Sequence, residues 1–162
     1  MDILVTGTAC GIGRATAELF LERGHRVWGL DVAEATLDRE KYRHFVCDVS
    51  DAASLPEGLE PEVVVSNAGV QGTTDDIAVN LRGTINVVEK YAFTGDATGG
   101  RRELGLTPAP RIRSVVCVGS ASGHTGSEFP EYAASKGGVI SYTKNVAGRL
   151  APQAICNSVD PG

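Results

Sequence analysis

The chain has 162 residues, 42% hydrophobic and 22% charged, which suits one soluble globular domain spanning residues 1–162. Its 15 lysines and arginines against 20 aspartates and glutamates leave a net charge of -5, and no basic run exceeds Arg101-Arg102, so neither nucleic acid nor an anionic membrane is expected as a partner. No secretory pattern precedes the first apolar run and no run approaches membrane-spanning length, which predicts a cytoplasmic protein.

Short apolar runs alternate with helical patterns along the chain. Ile3 to Val5 reads as the first strand. Gly11 to Arg23 reads as a helix with Ile12, Ala15, Leu19 and Phe20 on its apolar face, stopped by Gly24 at the C′ position. Val27 to Leu30, ending at Asp31, is the second strand, Phe45 to Val49 the third, and Val63 to Val65, ending at Asn67, the fourth. A helix is predicted over Ile77 to Tyr91, a fifth strand over Val115 to Val118, a long helix over Tyr132 to Leu150, and a sixth strand over Ile155 to Val159. Residues 94–110 are rich in Gly, Thr and Pro and read as a long loop. Alternating strands and helices, with strands that are continuous apolar runs, predict an α/β fold: a doubly wound, mostly parallel, Rossmann-like sheet of about six strands.

The four cysteines, Cys10, Cys47, Cys117 and Cys156, form no C-x-x-C pair. The last three sit in apolar runs and read as buried free thiols. Cys10 lies in a glycine-rich turn between the first strand and the first helix.

That turn, Thr6-Gly7-Thr8-Ala9-Cys10-Gly11-Ile12-Gly13, has the strand-to-helix context of a phosphate-binding loop. Gly7 can make the tight turn, Gly11 can let backbone N–H groups approach a pyrophosphate, and Gly13 can let helix and strand pack closely. The helix N-terminus favours an anion. Asp31 lies 18 residues beyond Gly13, where a carboxylate can accept hydrogen bonds from ribose hydroxyls and repel a 2′-phosphate. No arginine follows it, so NAD is expected and NADP is the lesser alternative. Asp31 could equally cap a following helix.

Tyr132-Ala133-Ala134-Ser135-Lys136 places a phenol and an ammonium at i and i+4 on one helical face. A nearby positive charge favours a phenolate, which lets a tyrosine exchange a proton near neutral pH. Upstream, Val115 to Val118 leads through Gly119 to Ser120, 12 residues before Tyr132. Ser122 competes with Ser120 for the same role.

The T-G-x-x-x-G-I-G loop, the Y-x-x-x-K pair and the serine-ended strand together resemble the short-chain dehydrogenase/reductase family. The resemblance covers nearly the whole chain and implies further roles. Cys10 and Ile12 fall in the cofactor loop. Asp48-Val49 would line the adenine pocket, and Asn67-Ala68-Gly69 would lie beside the cofactor. Asn80 would hold a water in a proton relay to Lys136, which would also reach the nicotinamide ribose. Pro161-Gly162 would form the family's turn near the nicotinamide. Catalytic roles would fall on Asn80, Ser120, Tyr132 and Lys136. The implied reaction is hydride transfer between nicotinamide and a carbonyl or secondary alcohol on a small molecule. A homo-oligomer could form through the helices that carry Asn80 and Tyr132.

Two departures from the family pattern stand out. Asn67 and Asn80 are only 13 residues apart, which predicts a shortened or lost helix between them. The family's substrate-covering elements normally follow the Pro161-Gly162 turn, so the chain reads as a truncated or minimal member. The alternative is an NAD-binding module or inactive fragment lacking its substrate lid.

Overall fold

A computed structural model describes residues 1–95 and 106–162. Six strands form one parallel sheet: β1 (Asp2–Thr6), β2 (Arg26–Asp31), β3 (Tyr42–Val46), β4 (Val63–Ser66), and, past a short ribbon, β7 (Ser114–Val118) and β8 (Ile155–Val159). Their spatial order is β3-β2-β1-β4-β7-β8, so the chain moves outward from β1 in one direction, then returns and moves outward in the other. This is the doubly wound topology expected from the sequence, and it opens a crevice where the order reverses beside β1. The ribbon is two antiparallel strands, β5 (Phe93–Thr94) and β6 (Thr107–Pro108). Together they pin both ends of the segment read as a loop; its residues 96–105 lie outside the described residues.

Helix α1 (Gly11–Glu22) covers one face of the sheet. Helices α2 (Thr84–Ala92) and α4 (Pro130–Leu150), the latter preceded by the single turn α3 (Ser122–Thr125), cover the other, where Leu4, Val64, Val87, Val115, Val139 and Leu150 form the larger core cluster. Ile3, Val5, Ala17, Val27 and Val65 form the smaller cluster under α1. Burying a Val, Leu or Ile side chain is worth about 1.5–3 kcal/mol, so alternate residues of β1 anchor both layers. On the α1 face, Ile155 and Val159 of β8 remain exposed. No helix of the described residues is long and apolar enough to cross a membrane.

Most elements fall where their residues predict. Gly24 adopts φ +83° after α1, and His25 N donates to Phe20 O while Gly24 N donates to Leu21 O, the paired bonds of a Schellman stop. Pro130 opens α4 at the first helical position, where its fixed φ suits the helix and its missing N–H costs nothing. The long helix therefore starts two residues before Tyr132.

Two expectations need correction. The third strand is Tyr42–Val46, not Phe45 to Val49. Its pairing runs from Val27 with Tyr42 to Asp31 with Val46, after which Cys47 N donates to Asp31 O and the chain turns away. Cys47 and Val49 are buried in that turn and not in the sheet. The apolar face of α1 is also different. Ile12 and Leu19 are exposed, while Gly13 and Ala17 are buried and Phe20 and Leu21 pack against the small cluster. Small residues let the start of α1 lie close to the sheet, and Ile12 and Leu19 are turned outward.

Between β4 and α2, residues 67–75 form no helix, as the short Asn67–Asn80 spacing predicts. The expected helix then begins as a π-helical segment, Ile77–Gly83, before continuing as α2. Such wide turns are rare and concentrate at functional sites. Asn80 lies within it.

Candidate active site

The carboxyl ends of β1, β2, β4, β7 and β8 all open on one edge of the sheet. They border a cleft of about 620 Å³. Gly7, Cys10, Gly11 and Ile12 line it from the first loop, Asp31 from β2, Cys47, Asp48 and Val49 from the turn after β3, and Asn67, Ala68 and Gly69 from the end of β4. Ser120, Tyr132, Lys136, Pro161 and Gly162 line its other end. Of the residues singled out in the sequence for the site, Gly13, Asn80 and the alternative serine Ser122 stay out of the lining.

Gly13 is excluded because it packs inward. A Cβ there would stand 2.1 Å from Gly7 O and 2.5 Å from Asn67 Nδ2. Its role is to seat α1 against the loop, which fixes the helix N-terminus at the cleft. Asp31 ties the same loop from the side: Oδ2 accepts from Ala9 N at 2.8 Å and Oδ1 accepts from Ala33 N at 3.0 Å. No helix follows it, so it is not a helix cap. Asp48 Oδ1 accepts from Ser50 N and Ser50 Oγ, closing the turn that carries Val49 along the wall. Burial pushes the neighbouring Cys47 thiol up to about 11, so it stays protonated.

Thr6, given no role from the sequence, is the fastener at the centre. It is fully buried, and its Oγ1 accepts from both Asn67 N and Ala68 N at 2.9 Å. Asn67 Nδ2 donates to Thr6 O at 2.9 Å. The ends of β1 and β4 are thereby locked together. The only sequence signal was the threonine just before Gly7.

At the opposite end, Tyr132 and Lys136 sit one turn apart on α4, the Lys136 ammonium 5.8 Å from the centre of the Tyr132 ring. Lys136 is 5% exposed, and its Nζ donates to Val118 O at 2.8 Å, which anchors it to the end of β7. Burial pulls its pKa down, and the Asp160 carboxylate opposes that shift. Ser120 is buried, and its Oγ accepts from Ser122 N at 3.2 Å. Ser120 lines the cleft beside Tyr132; Ser122 does not.

Asn80 sits behind this group, fully buried. Its Oδ1 accepts from Val70 N at 2.7 Å, and its Nδ2 donates to Val70 O and to Ser135 Oγ at 2.8 and 2.9 Å. Ser135 Oγ in turn donates to Tyr132 O at 2.7 Å. One side chain therefore positions the cleft wall at Val70 and the first turn of α4. Ser135, also fully buried, was visible in the Y-x-x-x-K segment but was assigned no role.

A glycine-rich loop at a helix N-terminus and a carboxylate at the end of the next strand thus face one end of the cleft, and a serine, tyrosine and lysine face the other. Residues 2–162 match the family model described as short chain dehydrogenase. The chain belongs to this family. Among similar proteins, the (3R)-3-hydroxyacyl-CoA dehydrogenase of Rattus norvegicus is 33% identical over 98% of this chain and 72% of its own length. An uncharacterized oxidoreductase of Schizosaccharomyces pombe is 28% identical over 99% of this chain and 66% of its own length. The structure of an NAD+-bound xylitol dehydrogenase superposes with a TM-score of 0.81 at 26% identity, covering 99% of this chain and 69% of that one. The chain thus spans about two thirds of the length of the relatives it matches. Family membership and the dehydrogenase neighbours support a nicotinamide-dependent oxidoreductase.

Proposed function

We propose that this chain carries the cofactor and proton-transfer sites of an NAD(H)-dependent enzyme that interconverts a carbonyl and a secondary alcohol. The observation that carries the reading is the single cleft with Asp31 at one end and Ser120, Tyr132 and Lys136 at the other.

The residues present fit a dinucleotide. The cleft is of suitable size for a small ligand, and a Cβ on Gly11 would meet nothing within 4 Å, so the loop leaves open space at the helix N-terminus. The Gly7–Gly11 loop and α1 would hold the pyrophosphate, and Asp31 the adenosine ribose. Asp31 has no adjacent arginine, which favours NAD over NADP. The NAD+ in the similar xylitol dehydrogenase supports the same choice. When bound, the nicotinamide supplies or accepts the hydride.

The chain's own groups manage the proton. The Tyr132 hydroxyl gives its proton to the carbonyl oxygen during reduction and takes it from the alcohol in reverse. The Ser120 hydroxyl donates a hydrogen bond to that oxygen and orients it. Lys136, held by Val118 O, stabilises the phenolate left on Tyr132. Asn80 and Ser135 hold the turn that carries Tyr132.

The test follows NADH oxidation with a panel of ketones, alongside titration of NADH and NADPH by fluorescence. Tyr132→Phe is expected to lower turnover by about 10²–10⁴-fold while leaving NADH affinity nearly intact. Unchanged turnover in that variant would overturn the mechanism. Tight NADH binding with no turnover on any ketone would support a binding module instead, and NADPH binding as tight as NADH would defeat the cofactor assignment.

A further inference from the structure

We infer that Tyr42, a residue outside the cleft, is a positioning residue of the cofactor site: from the edge strand it crosses β2 and holds the glycine-rich loop in its phosphate-receiving shape. The inference rests on the dinucleotide reading given above and adds the residue that prepares that site.

Tyr42 opens β3, the edge strand farthest from the Tyr132–Lys136 pair. Its hydroxyl lies 2.9 Å from Thr8 Oγ1 and 2.8 Å from His44 Nδ1. His44 Nε2 lies 2.8 Å from Ala33 O. A carbonyl only accepts, so in the neutral ring Nε2 carries the hydrogen and Nδ1 is the acceptor. Tyr42 then donates to His44, and its oxygen is left to accept the hydrogen of Thr8. Each member of the chain Thr8–Tyr42–His44–Ala33 is satisfied in a single direction. Burial raises the Tyr42 pKa, which keeps the phenol a donor.

The target of this chain is the middle of the phosphate loop. Thr8 is fully buried between Gly7 and the cleft-lining Cys10 and Gly11. The adjoining Ala9 is tied by two further residues from the same side of the sheet: its N–H donates to Asp31 Oδ2, and its carbonyl accepts from Thr36 Oγ1 at 2.9 Å. A loop with glycines at 7, 11 and 13 has little stiffness of its own, and ordering it on binding would cost affinity. Fastening it beforehand lowers that cost.

Gly29 provides independent support. Glycine in a strand interior weakens the strand and marks a close approach. At Gly29, in the middle of β2, a Cβ would stand 2.1 Å from Tyr42 Oη and 2.6 Å from Thr8 Oγ1. The missing side chain is the passage through which the two hydroxyls meet.

Fluorescence titration of this chain with NADH, and calorimetric titration with ADP-ribose, test the role, with urea unfolding of the ligand-free protein in parallel. Tyr42→Phe is expected to weaken both ligands about tenfold, the worth of one buried hydrogen bond, because the pyrophosphate is common to them. Thr8→Val should weaken them equally, Thr8→Ser should restore wild-type affinity by restoring the hydroxyl, and Tyr42→Phe combined with Thr8→Val should lose no more than either alone. Gly29→Ala should mimic Tyr42→Phe by displacing the hydroxyl. If the wild-type chain binds NADH but Thr8→Val and Thr8→Ser bind it equally well, the inference fails and the dinucleotide reading stands; this pair decides even where Tyr42→Phe does not fold. Altered urea midpoints with unchanged affinities would likewise reduce Tyr42 to a structural residue. A wild-type chain that binds neither NADH, NADPH nor ADP-ribose overturns both.

Discussion

Gly13→Ala is the most direct test of how α1 meets the cofactor loop. The new Cβ would stand 2.1 Å from Gly7 O and 2.7 Å from Gly7 C, both backbone atoms, against 3.4 Å for ordinary contact. Helix or loop must therefore move by more than an ångström. Overpacking of this kind costs about 1–3 kcal/mol. The same Cβ would stand 2.5 Å from Asn67 Nδ2, and displacing that amide weakens its bond to Thr6 O, for about 1 kcal/mol more. Alanine's better helix propensity returns about 1 kcal/mol, leaving a net loss of about 1–3 kcal/mol. For a domain of this size the melting temperature should fall by about 3–10 °C. Gly148→Ala is the internal control: it too lies within a helix, α4, but its Cβ meets nothing within 4 Å, so it should gain about 0.5–1 kcal/mol. Urea unfolding and NADH titration read both effects, and Gly13→Ala should weaken NADH binding because Gly7 shifts with the loop. Wild-type stability and wild-type affinity in Gly13→Ala would refute the close-packing argument.

Asp31→Ala should weaken NADH by about 1.5–3 kcal/mol and NADPH by less, moving the cofactor ratio toward NADPH; an unchanged ratio in parallel titrations would remove Asp31 as the discriminator. Lys136→Met should abolish turnover yet raise the ligand-free chain's stability at pH 7 by about 1 kcal/mol, because it removes a buried ammonium. The sign follows from burial, which lowers the Lys136 pKa and outweighs the opposing Asp160 carboxylate: the unfolded chain holds that proton more tightly, so this group's cost is present at neutral pH and is relieved as pH rises from the folded pKa through the ordinary value of 10.5. The stability difference between the two chains should therefore narrow with rising pH in urea titrations, and a constant difference would show that the charge is not the cause.

The sequence is most legible where burial is continuous. β1 and β4 are apolar runs buried almost throughout, with sharp ends, and Pro130 marks the start of α4. It misleads at the edge strand β3, although the other edge, β8, falls at its predicted bounds. β3 has no fully buried residue, so the buried Cys47 and Val49 beyond it attracted the strand assignment. It also misleads where a helix packs through small residues: α1 turns Gly13 and Ala17 inward, and a periodicity argument that weighs large apolar side chains chooses the wrong face. In the site, the strand-end residues were readable because topology alone brings them to one edge. Thr6, Ser135 and Tyr42 were not, because their meaning lies in partners 61, 55 and 34 residues away or reached through them.

That difference follows from what each group does. A residue that touches ligand carries its chemistry in its side chain, and Asp31, Tyr132 and Lys136 can be chosen on residue type and spacing. A residue that holds another in place is a threonine, serine, asparagine or tyrosine like many others until its buried partners are known. In this chain such residues form two separate sets. Asn80 and Ser135 fix the turn bearing Tyr132, while Thr8, Tyr42 and His44 fix the loop at the helix N-terminus. Thr6 joins the strands between them. No hydrogen bond described for either set reaches the other, so disturbing one end should leave the other's geometry in place. Cofactor affinity and proton transfer should then separate cleanly by mutation: Tyr42→Phe is expected to act on binding and Tyr132→Phe on turnover, and the two losses should add when combined. Strong non-additivity between them would show that the sheet transmits strain across the cleft, and that the two ends are not independently built.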